Sequence, residues 1–176
     1  NSVANAICIK HHYLHRARTG GLQMAHGVFY NGVLLGCFVW ASPTFHTFKG
    51  LIPPLHQKEV VELARMWLDD TMPKFSETAS LSKSIKLLAR EWPRYCGYTP
   101  KVLVSFSDLE SSHEGVIYKA ANFCDWGMAK SARYADVGQL YSRSTEKYAS
   151  KRYKGGEQVA KRTKSNKRMW VYILEK

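Results

Sequence analysis

No apolar run in this 176-residue chain approaches the ~20 residues that a membrane-spanning helix needs. The N-terminus also lacks the charged-then-apolar pattern of a secretion signal, so no membrane partner is expected. Beginning at Asn1 without a Met, the chain leaves room for an upstream residue. Cysteine is sparse as well: Cys8, Cys37, Cys96 and Cys124 stand far apart, with no Cys-x-x-Cys pair among them. That spacing argues against a metal or disulfide framework and for four small buried apolar side chains in a reducing compartment. Internal repeats and low-complexity tracts are absent, and an apolar content of 45% suits a folded globule rather than a disordered chain.

Acidic residues are the other shortage: 14 Asp+Glu face 26 Lys+Arg, for a net charge of +12. The imbalance is uneven, because residues 128–176 alone carry 13 basic and 4 acidic side chains. The expected organisation is a single domain over 1–176 with a basic C-terminal third over 128–176. Counterion release rewards such a density of Lys and Arg on nucleic-acid phosphates, so a polyanionic partner is expected, nucleic acid first. In that third, Tyr141, Tyr148 and Tyr153 are interleaved with Arg143, Lys147, Lys151, Arg152 and Lys154, and Lys161, Arg162 and Lys164 follow. Aromatic faces among cations suit stacking combined with charge. The plainer readings are tyrosines packed under a long loop and a solvated basic face.

Along the chain, residues 1–19 suit a short helix giving way to a loop. Asn31-Gly32 between apolar runs at 27–30 and 33–40 marks a two-residue hairpin of the primed type. A loop over 45–57 leads to a strand at 60–68, polar at Glu62 and Arg65, which stops at Asp69-Asp70. Ser76 is the expected N-cap of a helix whose Leu81, Ile85, Leu88 and Trp92 recur at helical spacing, with Pro93 as its stop. A second strand at 101–108, a polar turn, a short helix over 114–123, a strand within 128–134 and a last strand at 167–174 complete the pattern. Strand, helix, strand, helix predicts parallel neighbours with a right-handed crossover, and ligands gather where strand carboxyl ends meet helix starts. Asp69, Asp70, Asp108 and the helix start at 76–84 fall on that edge, the expected active site. His11, His12 and His15 alone lack the remaining ligands of a metal site. A His12–Tyr13 pair lining a base or donor pocket is the favoured reading, and no metal is expected.

This order of elements resembles the GNAT acyltransferase fold. The stretch Gly115-Val116-Ile117-Tyr118-Lys119-Ala120, followed by Gly127, is similar to that fold's last motif, in which a helix tyrosine sits beside the donor's leaving group. More specifically, five pieces resemble, in order and spacing, the Mom family of phage DNA-modification proteins. They are His11-His12-Tyr13, Glu62-Leu63-Ala64-Arg65, Ser80-Leu81-Ser82-Lys83-Ser84, Ser105-Phe106-Ser107-Asp108 and Tyr118-Lys119-Ala120. The resemblance implies an α+β fold: a twisted, mostly antiparallel sheet with a central parallel strand pair and helices on both faces. It also implies a transferase that converts adenine in double-stranded DNA to N6-carbamoylmethyladenine. The product shields phage DNA from restriction in the cytoplasm of an infected bacterium. One departure stands out. Where GNAT enzymes hold the coenzyme A pyrophosphate on a Gly-rich loop, residues 71–77 contain no glycine, and Pro73 removes a further donor. That speaks against acetyl-CoA as the donor. Carbamoylmethyl has the elemental composition of a glycyl group, so an activated glycine such as glycyl-tRNA is the other candidate donor, with tRNA as a second partner.

The implied chemistry assigns roles. The N6 amine is paired, stacked and delocalised, so the base must be flipped out and N6 must lose a proton. Asp108 is the candidate for orienting N6 and taking that proton. Tyr118 would protonate a leaving group or hold the donor, and Arg65 would clamp a phosphate or carbonyl oxygen. His12 and Tyr13 would stack on the adenine or pass a proton. Ser80 and Ser84, at a helix start, and Ser105 and Ser107, on the second strand, would hold substrate or donor. Each has a plainer alternative: Asp108 a helix cap, Tyr118 a core tyrosine, Arg65 a partner of Glu62 or Asp69, the helix serines small surface residues. Two other function classes remain, a conventional acetyltransferase on RNA or protein amines and a non-catalytic nucleic-acid module.

Overall fold

The computed structural model describes residues 2–43, 55–109, 113–128 and 167–174. In chain order these form helix α1 (Ser2–His11), strands β1 (Gln23–Tyr30), β2 (Val33–Ala41) and β3 (Val60–Leu68), helix α2 (Ser76–Cys96), strand β4 (Val102–Asp108), helix α3 (Val116–Ala120), and strands β5 (Cys124–Met128) and β6 (Lys167–Ile173). The strands make one sheet in the order β1-β2-β3-β4-β6-β5. Only β3 and β4 are parallel; every other pair is antiparallel. This is the mixed, GNAT-like sheet expected from the sequence.

The first hairpin closes on Tyr30↔Val33, with Asn31 at φ 50° and Gly32 at φ 79°. Both turn residues thus take the positive φ that the primed turn demands. Helix α2 lays Leu81, Ile85, Leu88 and Trp92 against Phe38, Trp40, Val61, Leu63 and Leu103, which forms the main core on one face of the sheet. On the opposite face α1 buries Ala4 and Cys8 against Cys37 and Val39. Helices therefore cover both faces.

Four local expectations change. Phe75, not Ser76, caps α2: the Ser76 N–H donates to the Pro73 carbonyl, and that turn starts the helix one residue sooner. Pro93 does not stop the helix, which runs on to Cys96 and ends at Gly97, whose N–H donates back to the Pro93 carbonyl. A proline forfeits one helical hydrogen bond, and here buried Trp92 anchors the last turn while Gly97 at φ 78° provides the left-handed cap. Helix α3 is shorter than residues 114–123, because Gly115 at φ 79° delays its start and the chain leaves it at Ala121. Of the four cysteines, Cys8 and Cys37 are buried, but Cys96 is half-buried and Cys124 exposed, since β5 is an edge strand. Strand β5 (Cys124–Met128) is not among the expected elements; the strand expected within 128–134 lies, but for Met128, outside the described residues, as do Tyr141, Tyr148 and Tyr153.

Two irregularities shape the centre of the sheet. The first is a bulge in β3: Trp40 pairs with Leu63 and Val39 with Arg65, so Ala64 is an extra residue. Side chains alternate along a strand, and one inserted residue reverses the alternation. Val61 and Leu63 before it, and Met66 and Leu68 after it, face the α2 core. Glu62, Arg65 and Trp67 consequently share the α1 face. The second is a parting of the parallel strands. Their pairing runs from Val60↔Val102 to Leu63↔Ser105 and stops, although β3 continues to Leu68 and β4 to Asp108.

Candidate active site

A cavity of about 500 Å³ fills the gap where β3 and β4 part. Such a volume suits a small-molecule or single-base site. Because the strands separate, its walls come from both faces of the sheet. His11, His12 and Tyr13 enter at the end of α1; residues 63–68 and Phe106 and Ser107 form the strand walls; Glu77 comes from the first turn of α2, and residues 113–118 from the loop before α3 and α3 itself. The carboxyl edge of the parallel pair is thus the edge the sequence singles out.

Five expected site residues meet there: His12, Tyr13, Arg65, Ser107 and Tyr118. His12 is buried, and its Nδ1 accepts the Leu14 N–H at 3.1 Å. The neutral ring therefore carries its proton on Nε2. Burial, reinforced by the Arg65 charge, lowers the His12 pKa to about 4, so the imidazole is neutral at physiological pH. Tyr13 stacks on His12 with centroids 4.4 Å apart and meets the edge of His113 at 5.2 Å. Burial, with the Asp108 carboxylate, pushes its phenol up to about 12. Burial also raises the Tyr118 pKa, partly offset by a hydrogen bond with Ser105. The Ser105 hydroxyl donates in turn to the Leu63 carbonyl at 3.3 Å. Tyr118 is held between Phe123 and Trp170, with centroids 5.6 and 5.9 Å away. Ser107 accepts the Trp170 Nε1–H at 2.9 Å.

Arg65 arrives through the bulge. Its Nη1 donates to the carbonyl of Ala64, the bulged residue, while its Nε is buried with no hydrogen-bond partner among the described residues. Glu62, on the same face, has its pKa raised by burial against the pull of Arg18, Arg65 and Lys167.

The remaining site residues lie elsewhere. Asp108 is buried at the end of β4 and does not line the cavity; its charge is felt at Tyr13. Ser105 lies behind the wall as the partner of Tyr118. Ser84 faces the core, where its hydroxyl accepts the Trp40 Nε1–H at 2.8 Å and lies 2.8 Å from His26 Nδ1. Ser80 is outside the wall, one turn after Glu77, which is in it. Asp69 accepts the Thr71 N–H and hydroxyl at 3.0 and 2.6 Å, an Asx turn away from the cavity. Arg143, Lys147, Lys151, Arg152, Lys154, Lys161, Arg162 and Lys164 lie outside the described residues.

Glu77, His113, Glu114 and Trp67 line the cavity without having been singled out in the sequence. Glu77 and His113 were findable, since each stands at a helix start or strand end on the ligand edge. Trp67 was not, because its face depends on the bulge. It stacks on His11 at 4.2 Å.

A mostly antiparallel sheet split by one parallel pair, with the cavity in the split, gives the chain a GNAT-like fold. The chain belongs to the Mom protein family, whose model matches residues 1–176. Over 120 residues it is 29% identical to the methylcarbamoylase Mom of Escherichia phage Mu; the alignment covers 68% of this chain and 48% of the phage Mu protein. The chain thus spans about half the length of that curated relative. Among solved structures it is similar to the Salmonella typhimurium acetyltransferase that modifies the N-terminal serine of ribosomal protein L7/L12. That match has 13% identity, covers 97% of this chain and 70% of the other, and gives a TM-score of 0.49. A GNAT-family acetyltransferase from Bacillus anthracis matches at 9% identity, covering 85% of this chain and 65% of the other, with a TM-score of 0.49.

In the loop that would meet a coenzyme A pyrophosphate, several backbone donors are already taken. The Thr71 N–H is held by the Asp69 carboxylate, the Met72 N–H by the Asp69 carbonyl and the Ser76 N–H by the Pro73 carbonyl, and Pro73 has none. Those three N–H groups are bonded within the loop and so do not point outward as the donors of a phosphate cradle do.

Proposed function

We propose that this chain is a transferase that converts adenine in double-stranded DNA to N6-carbamoylmethyladenine, using an acyl-type donor, and so protects phage DNA from restriction. Family membership supports the reaction, and the excess of Lys and Arg supports the substrate. One structural observation carries the reading most: three neutral donors, His12, Tyr13 and Tyr118, share a cavity with a half-buried cation, Arg65. Donors fixed around one pocket favour negative charge developing on a carbonyl oxygen, which is what attack by an amine on an acyl-type donor generates. The cavity also has room for a flipped base.

In this reading Arg65 and the Nε2–H of His12 polarise the donor carbonyl. Tyr118 protonates the leaving group. The proton lost from N6 goes to a wall carboxylate, Glu77 or Glu114, while Asp108, behind the wall, keeps the Tyr13 phenol protonated. The donor is an activated glycine, as aminoacyl-tRNA: N6 bonds to its ester carbonyl carbon as the tRNA ribose hydroxyl leaves with the Tyr118 proton. The N6-glycyl adduct, an isomer of the product, then rearranges so that N6 holds the CH2 and the glycine nitrogen becomes the carbamoyl nitrogen. Isotope-labelled glycine fed to expressing bacteria should label the modified adenine; unlabelled product would remove this donor.

The reading is tested by mass spectrometry of nucleosides digested from plasmid DNA of bacteria expressing the chain. A new deoxyadenosine at the carbamoylmethyl mass is expected. Tyr118→Phe removes one hydrogen bond, about 1.4 kcal/mol, and should slow its accumulation about tenfold. Unmodified DNA from cells containing folded protein would overturn the proposal, and acetyl transfer to RNA or protein amines would replace it.

A further inference from the structure

We propose that Phe75 is a wedge that enters the base stack of duplex DNA and fills the gap left by the flipped adenine; the inference rests on the function proposed above. Phe75 is 82% exposed, more than any other large apolar side chain among the described residues. Its backbone lies at φ 67°, a left-handed conformation that an aromatic residue adopts only at a cost. A ring held in water on a strained backbone has no role in folding this domain.

Its position supplies the role. Phe75 stands two residues before Glu77, which lines the cavity. Val116, at the start of α3, also belongs to the cavity wall and is 68% exposed. Two exposed apolar side chains thus stand where α2 and α3 begin, Val116 in the cavity wall and Phe75 two residues from it. The loop bearing Phe75 is braced: Asp69 fixes Thr71 and Met72, Pro73 fixes Ser76, and the Phe75 carbonyl accepts the Ala79 N–H at 3.0 Å. A rigid mount suits a side chain that must push into a stack.

The chemistry of the partner follows from charge and shape. Lys74, exposed beside Phe75, puts a cation where the wedge would pass a backbone phosphate, and the whole chain carries +12. A phenyl ring has the thickness of one base step, and apolar side chains inserted between steps are a known way to hold DNA kinked or unstacked. Taking a base out of a duplex leaves a void whose refilling recovers stacking. Phe75, two residues from a wall residue, would recover it while the adenine occupies the pocket.

The test uses the purified chain and duplexes carrying 2-aminopurine in place of one adenine within randomised flanks, read by 2-aminopurine fluorescence and, separately, by binding. Wild type should bind and brighten the probe. Phe75→Ala should bind comparably and melt like wild type, because the ring is exposed, yet give a fluorescence rise about tenfold smaller, the factor one stacked ring contributes. Phe75→Trp should restore the rise. An equal rise in wild type and Phe75→Ala overturns the wedge and leaves the function intact. So does loss of DNA binding by Phe75→Ala, which would make the ring a plain contact. If wild type neither binds duplex nor yields modified deoxyadenosine in plasmid DNA, the function itself falls and the wedge with it.

Discussion

Replacing Gly115 with alanine is expected to cost about 4 kcal/mol of stability and to collapse the cavity wall. A Cβ built there would sit 2.5 Å from Trp170 Nε1 and nearer still to Cε2 and Cζ2, on a backbone at φ 79°. Neither side can yield. Trp170 is 3% exposed, donates its Nε1–H to Ser107 and packs on Tyr118, so moving the indole disturbs two wall residues at once. The left-handed backbone adds about 1–2 kcal/mol and the overpacking about 1–3 kcal/mol. Chemical denaturation checks the first part and nucleoside mass spectrometry the second. A variant that unfolds at the wild-type denaturant concentration would show that the indole does not occupy this space.

The second large effect is acid lability centred on His12. Above pH 6.5 the imidazole is neutral in the folded and the unfolded chain, and it contributes no pH dependence. Below 6.5 the unfolded chain takes up a proton that the folded one resists until about pH 4. Stability should therefore fall as pH drops from 6.5 to 4, by about 3 kcal/mol, and level off below. His26, whose pKa burial also lowers, acts in the same direction. Denaturant midpoints measured across this window should slope upward with pH, and His12→Gln should flatten the slope. An equal slope in that variant would assign the lability to other groups. Activity has its own dependence, because a protonated His12 would place a second cation beside Arg65.

The parts of this fold that were legible in the sequence are those governed by local rules. Asn31-Gly32 dictates its turn whatever surrounds it, and the apolar spacing from Leu81 to Trp92 fixes the buried face of α2. The parallel pair followed from alternation of strand and helix, and with it the edge that holds the cavity. Helix ends were less legible. Ser76 looks like a cap, but a turn upstream decides the boundary, and Pro93 is outweighed by a buried Trp92 and a glycine beyond it. Of the residues singled out in the sequence, His12, Tyr13, Arg65, Ser107 and Tyr118 meet in the cavity, but their arrangement was not legible. Glu62 and Arg65 are three apart, so a regular strand would have set them on opposite faces; nothing in the residue types announces the bulge at Ala64. Asp108 and Ser84 sit on the right elements, but Asp108 is buried outside the cavity wall and Ser84 turns into the core, a choice made by packing partners distant in sequence.

The bulge has a consequence for how such a protein can change over generations. Deleting Ala64 would bring β3 back into step with β2, complete the ladder and leave a more regular sheet. Arg65 would stay opposite Val39 on the α1 face, because dropping the extra residue preserves the alternation, but its Nη1 would lose the Ala64 carbonyl that holds it. The most orderly version of this strand thus keeps its cation but lets go of it, and drift toward robustness alone would trade a held guanidinium for a loose one.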